Sequence, residues 1–300
     1  MRTIVVVATL TISSLACAPA PLPPHAVEGT PGGIRYIIGG DSRDDAAHVL
    51  PWAFREARAR GASGFFFLGD MELTPQLDEH FRNALPLLGP VPFYPVLGNH
   101  EVRLFGLFAV AHDHAERSFR RRFLDGRATP LESSLPNKVV YSVSLPGGVH
   151  LVALDNVSQR GFGLDQLQWL EKDLEQARQN PDVRFIIVGM HQPLAHNGVT
   201  THSMDADGPI AISDSDAARA LMIKHHVSLI VASHMHAFLP YTTDGIPTYI
   251  TGGLGAPLDP SMHERAFHHF LQVDVGEDAL HVTVVRFDGK PSIADGEDRD

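Results

Sequence analysis

Cysteine is almost absent. Cys17 is the one cysteine in 300 residues, so no disulfide can close within the chain and a fold must be held by its core alone. Positive charge is also scarce: 24 Lys and Arg stand against 35 Asp and Glu, a net charge of −11. That balance argues against a dedicated binder of nucleic-acid polymers, which carries excess Lys and Arg, and a phosphate-bearing ligand would need cations bound locally. Neither Gly-x-Ser-x-Gly nor His-Glu-x-x-His occurs, which removes the serine-elbow hydrolases and the zincins. Long apolar runs are missing beyond the N-terminus. Ile4 to Leu15, preceded by Arg2, is too short to span a bilayer comfortably and suits the core of a signal peptide.

Cys17 follows that run directly, in Ser13-Ser14-Leu15-Ala16-Cys17, which resembles a bacterial lipoprotein cleavage box with Ser14 where Leu is usual. Ordinary cleavage near Ala16-Cys17-Ala18 is the alternative. The expected organisation is a signal or lipoprotein-type peptide at 1–17, a Pro-rich tether at 18–33 and one catalytic domain at 34–300. The expected location is outside the cytoplasm, periplasmic or anchored to a membrane through a lipid on Cys17.

What is present is a set of apolar runs that each end in one polar residue type. Arg35 to Gly40 ends at Asp41, Gly64 to Gly69 at Asp70, and Pro92 to Leu97 at Gly98-Asn99-His100-Glu101. Arg184 to Met190 ends at His191, and Val227 to Ser233 at His234, with His236 two residues on. In open α/β sheets the functional crevice lies beyond the carboxyl ends of strands. Five strand ends bearing Asp, Asn and His carry oxygen and nitrogen ligands for divalent metals. A carboxylate can bridge two ions, so Asp70 is the natural shared ligand, with Asn99, His191 and His234 on one ion and Asp41 and His236 on the other. A hydroxide held between the ions would be the nucleophile, and His100, beside a ligand, would protonate the leaving oxygen or position the phosphoryl group.

Between these ends the pattern alternates β and α. Helices are expected over Asp44 to Arg60, Pro75 to Leu88, Leu164 to Ala177 and Asp214 to His226, the last capped by Ser213. Lys138 to Leu145 and Val149 to Leu154 read as a hairpin through Pro146-Gly147-Gly148. Thr248 to Ile250, Phe270 to Val275 and Leu280 to Phe287 read as late strands. Leu194 to Ile212 reads as a long loop, from which His196 and His202 could reach substrate. Glu101 to Pro136, with its run Arg117, Arg120, Arg121 and Arg122, reads as helix and loop covering the cleft. Gly252 to Gly255 reads as a place of close backbone packing.

Gly69-Asp70, Gly98-Asn99-His100-Glu101, Gly189-Met190-His191 and His234-Met235-His236, in this order, resemble the calcineurin-like metallophosphoesterases. The likeness extends from about Ile34 to Val285. It implies an α/β fold, a β-sandwich of two mixed sheets flanked by helices in four αββα layers. The implied reaction is hydrolysis of a small-molecule phosphomonoester or phosphodiester on two divalent ions (manganese, iron or zinc, with magnesium admissible). The first motif departs from the family: Asp-x-His becomes Asp41-Ser42-Arg43, and arginine cannot coordinate a metal. The tyrosine by which purple acid phosphatases replace that histidine is Leu73 here. Arg43 could clamp the phosphate with its planar fork or pair with Asp44 or Asp45. Glu72, His112, His114 or His202 could serve as ligand instead, or the first site could fill weakly or stay empty. In that last case the chain would be a metal-depleted protein that binds or senses a phosphorylated ligand.

Overall fold

A computed structural model of the chain describes residues 33–45, 47–71, 78–102, 116–117, 119–125, 135–136, 138–198 and 200–289. The leader and nearly all of the tether, together with Glu72, Leu73, His112 and His114, lie outside the described residues.

Two mixed sheets form the centre. The first contains β1 (Arg35–Gly39), β2 (Gly64–Phe67), β3 (Phe93–Pro95), β10 (His269–Val275) and β11 (Leu280–Arg286), in the order β11-β10-β1-β2-β3. The second contains β4 (Tyr141–Leu145), β5 (Val149–Ala153), β6 (Phe185–Gly189), β7 (Leu229–Ala232), β8 (Phe238–Thr243) and β9 (Ile246–Thr251), in the order β4-β5-β6-β7-β9-β8. β1, β2 and β3 run parallel, as do β5, β6, β7 and β9, while the β4–β5, β8–β9 and β10–β11 pairs are antiparallel.

The continuous apolar runs are explained by burial on both faces. In the second sheet Leu151, Ala153, Phe185, Ile187, Leu229 and Val231 belong to the larger core, shared with the first sheet. Their alternates Val152, Leu154, Ile186, Val188, Ile230 and Ala232 join a separate core. That second core includes Leu170, Leu174 and Ala177 of α4 (Gly163–Gln179) and Ala218 and Met222 of α5 (Pro209–Lys224). On the outer side of the first sheet, α1 (Val49–Ala59) and α2 (Asp78–Ala84) contribute Phe54 and Phe81. Phe54 meets Phe65 edge-on at 5.1 Å, and Phe81 meets Phe67 at 5.7 Å. Each such ring contributes about 2–3 kcal/mol of burial, and Phe65→Ala would cost about 3–5 kcal/mol.

Several boundaries differ from expectation. α1 begins at Val49, not Asp44, because Arg43, Asp45 and His48 take left-handed backbone and the Asp45 carboxylate accepts from Val49 N and Leu50 N. α5 begins at Pro209 with Gly208 before it, so Ser213 lies inside the helix and does not cap it. The 194–212 stretch also contains a short 3-10 turn, Met204–Asp207. Arg120–Asp125 forms a wide turn that packs Phe123 on Phe81 and Phe93, each at 5.9 Å. This described part of the expected cleft cover belongs to the core of the first sheet. A short helix, α3 (Asn99–Val102), follows β3. Among the described residues, no helix is long and apolar enough to cross a membrane.

Candidate metal centre

The first sheet presents Asp41, Asp70 and Asn99 at the ends of β1, β2 and β3, and the second presents His191, His234 and His236 after β6 and β7. Carboxylates and amide come from one sheet and imidazoles from the other. Asp70, His191 and His234 bring one ligand atom each within 4.8 Å of one another, and so do Asp41, Asp70 and His236. Asp70 belongs to both sets, as a bridging ligand must.

The surrounding backbone fixes how each ligand points. His191 Nδ1 donates to Leu68 O at 2.8 Å and His236 Nδ1 to Pro257 O at 2.6 Å, which leaves both Nε2 lone pairs facing inward. Around His191 Nε2 lie Asn99 Oδ1 at 2.9 Å, His234 Nδ1 at 3.1 Å and Asp70 Oδ1 at 3.4 Å. Converging lone pairs of this kind suit a divalent cation, whereas one proton could satisfy them only in part. Asp41 Oδ2 accepts from Ser233 Oγ and from His234 N at 2.8 Å. Asp41 Oδ1 is buried and accepts no hydrogen bond of ordinary length; His236 Nε2 stands 3.5 Å away. The donor set and this orphaned oxygen fit the metal centre that the sequence implies.

The electrostatics agree. Burial, followed by the nearby Asp41 charge, pushes Asp70 well above the usual carboxylate range. Burial acts on Asp41 in the same direction, but the neighbouring imidazoles of His236 and His191, with the Ser233 hydroxyl, together hold it below that range. Two buried carboxylates sharing a site cannot both ionise cheaply without added positive charge. Burial, with His191 beside it, drives His234 down to about 3 and keeps it a neutral ligand.

Sequence reasoning missed part of the supporting frame. Glu101 Oε2 accepts from Gly98 N at 2.8 Å and from Asp70 N at 2.9 Å. The readable signal was a helix-start residue followed by Glu three positions on, a capping-box spacing. Gly98 is required here because a Cβ would overlap the Asp70 amide and carboxylate. Gly252 similarly has no room for a Cβ beside Met235 O and Asp41, which agrees with the close packing read from the sequence. In sequence Ser233 reads only as a strand residue. Asp41, Asp70 and His234 also hold φ near +60°, at 60°, 58° and 68°.

A cleft of about 460 Å³ opens onto this set, lined among others by Arg43, Asp70, Asn99, His100, His202 and His236. His100 is 30% exposed with Nε2 3.8 Å from Asp70 Oδ2, while the His202 ring lies tilted against His234 at 6.3 Å. His196 is elsewhere. It lines a separate cavity with Arg219 and Tyr241 and faces Asp205 and Asp216.

The family model of the calcineurin-like phosphoesterases matches residues 25–238, a stretch that contains every candidate ligand from Asp41 to His236. The chain belongs to that family. Calcineurin-like phosphoesterases generally use a binuclear metal centre, with which the two Asp/His sets are compatible. Among curated proteins the chain is similar to probable purple acid phosphatase 20 of Arabidopsis thaliana, at 23% identity over 215 residues, 68% of this chain and 46% of that protein. The same fold occurs in the purple acid phosphatase PPD1 from yellow lupin (Lupinus luteus) seeds, with TM-score 0.60, 16% identity, 86% of this chain and 52% of that one covered. A dimetal phosphatase from Danio rerio has TM-score 0.61 and 16% identity, with 84% and 95% covered. GAP50, the anchor in the inner membrane complex of Plasmodium, has TM-score 0.58 and 14% identity, with 86% of each chain covered. The chain spans about half the length of the two plant phosphatases it matches.

Proposed function

We propose that this chain is a metal-dependent phosphatase, hydrolysing small phosphate esters in the cleft above Asp70, and that Arg43 serves the substrate and not a metal. The observation that carries this reading is the sharing of Asp70 between two ligand sets that open onto one cleft with His100 and Arg43. Asp70, Asn99, His191 and His234 would hold one ion, and Asp41, Asp70 and His236 the other. Bound divalent ions supply an activated water and neutralise charge on the phosphoryl group. Arg43 offers a planar two-pronged donor to the non-bridging phosphate oxygens. His100 delivers a proton to the leaving oxygen as the ester P–O bond breaks and the water oxygen forms the new one. The leader and Cys17 support a site of action outside the cytoplasm.

Metal content and turnover together test the reading. Elemental mass spectrometry on protein equilibrated with manganese or zinc, then freed of loose metal, is expected to find one tightly held ion per chain and a second that washes out. Hydrolysis of p-nitrophenyl phosphate should follow the metal content. Two retained ions would mean that Arg43 is compensated by another ligand. Turnover unaffected by chelation would overturn the proposal, and tight phosphate binding without turnover would favour the alternative, a binding or sensing protein on this fold.

A further inference from the structure

A second cavity, of about 250 Å³, adjoins the cleft and shares Asn99 with it; Val157, Gln159, Arg160, Gln192 and Asp207 also line it. Building on the phosphatase reading, we propose that this cavity receives the alcohol half of the substrate, and that Arg160 selects phosphomonoesters whose alcohol carries a carboxylate. Because Asn99 lines both spaces, an ester whose phosphoryl group sits in the cleft against Asn99 would extend its alcohol into this cavity. The volume is on the order of eight water molecules at liquid density, room for a small polar acid and not for a polymer.

The wall carrying Arg160 is built to hold its shape. Asp155 accepts from Val139 N, Val157 N, Ser158 N and Ser158 Oγ. Buried Lys138 donates to Asp155 O and Gly161 O. Asn156 Nδ2 donates to Gln192 O at 2.8 Å, and Gln192 N returns a bond to Asn156 Oδ1 at 3.2 Å. The loop is thereby fastened to the residue directly after the ligand His191. At its tip Arg160 and Gly161 take φ 44° and 120°, a reversal that leaves the Arg160 side chain exposed at the cavity. Its guanidinium has no carboxylate within ion-pair distance among the described residues, whereas Arg60 and Arg219 do. In a chain of net charge −11, a cation so placed beside the phosphate site fits an anion better than any other ligand. Asp207, in the same cavity, suits a hydroxyl or ammonium on the same alcohol.

The test compares matched esters on the full, manganese-loaded chain: D-3-phosphoglycerate and O-phosphoserine carry the carboxylate, glycerol 3-phosphate lacks it, and p-nitrophenyl phosphate reports basal activity. The expected kcat/KM ratio of 3-phosphoglycerate to glycerol 3-phosphate is about tenfold, carried in KM, the size of one charge-assisted hydrogen bond. Arg160→Gln should bring the ratio to about one, and Arg160→Lys should restore part of it. Asp207→Asn should lower the preference for O-phosphoserine over 3-phosphoglycerate. A wild-type ratio near one, or a ratio that survives Arg160→Gln in protein with an unchanged melting temperature, would overturn the proposal. If p-nitrophenyl phosphate is not hydrolysed at all, the phosphatase reading fails separately. Calorimetric binding of the same two esters then reads the Arg160 preference without turnover, and equal affinities would reject it.

Discussion

Around Asp70 the two ligand sets differ in number and charge. The set of Asp70, His191 and His234 has the Asn99 carbonyl oxygen in contact and only one carboxylate. The set of Asp41, Asp70 and His236 has two carboxylates and one imidazole, with Arg43 lining the cleft nearby. One half offers four candidate ligands that suit a borderline metal; the other offers three, and Arg43 occupies the sequence position where the family places a histidine ligand. Arginine brings positive charge without a lone pair. The first half should therefore bind its ion for structure and activation, and the second should bind an ion weakly while leaving the guanidinium for the phosphate.

Breaking the shared ligand should erase the difference. Asp70→Asn is expected to empty both halves and lower kcat/KM on p-nitrophenyl phosphate by about 10³-fold or more, several kcal/mol of transition-state stabilisation, with metal content measured alongside. Separating the halves comes next. His191→Ala should remove the tight ion and cost about 10³-fold, whereas His236→Ala should leave that ion in place and cost about 10²-fold. Equal metal loss in the two variants would show that the halves are equivalent.

Acid should expose the same asymmetry through the frame. His269 lies behind the Gly252 to Gly255 loop that backs Asp41: Gly253 packs against its ring, and its Nδ1 donates to Phe267 O at 2.8 Å. Burial holds His269 at about 4. The bond to Phe267 O works against that, and the charges of His268 and Arg286 add to the drop. The folded protein keeps His269 neutral while the unfolded chain protonates near 6.5, so its contribution is complete above about pH 6.5 and is lost as pH falls towards 4. Urea unfolding of wild type and His269→Gln should converge by about 2–3 kcal/mol between pH 7 and 4. The smallest effect is the most pointed. Arg43→His should raise affinity for the second ion about tenfold and raise KM for the phosphate ester, which titration calorimetry and steady-state kinetics would read separately.

The strand ends were legible because each apolar run stops at a polar residue the core cannot accept, and these stops carry all six candidate ligands that the fold brings together. Their pairing into sets was legible too, since only a carboxylate can serve two ions. The Gly208-Pro209 start of α5 falls in a stretch whose composition reads as loop, although Gly followed by Pro at the first helical position is also a helix opening. β8 went unread because Pro240 interrupts Phe238–Thr243, and such a proline is tolerated only because β8 is an edge strand. The placement of His196 away from the cleft depends on its contacts with Asp205, in the 3-10 turn at Met204–Asp207, and with Asp216, in α5, which no local pattern encodes. Arg160 carried no signal at all. Its position follows from the contacts of Asp155 with Lys138 and of Asn156 with Gln192, which are distant in sequence.

Three of the candidate ligands, Asp41, Asp70 and His234, sit in left-handed backbone that glycine adopts freely and other residues adopt at a cost of about 1 kcal/mol each. A population of variants selected for heat resistance alone would therefore drift towards glycine or asparagine at these three positions, and every step would silence the centre. Thermal hardiness and turnover compete here residue by residue, so a library screened for both should keep all three side chains and gather its gains elsewhere.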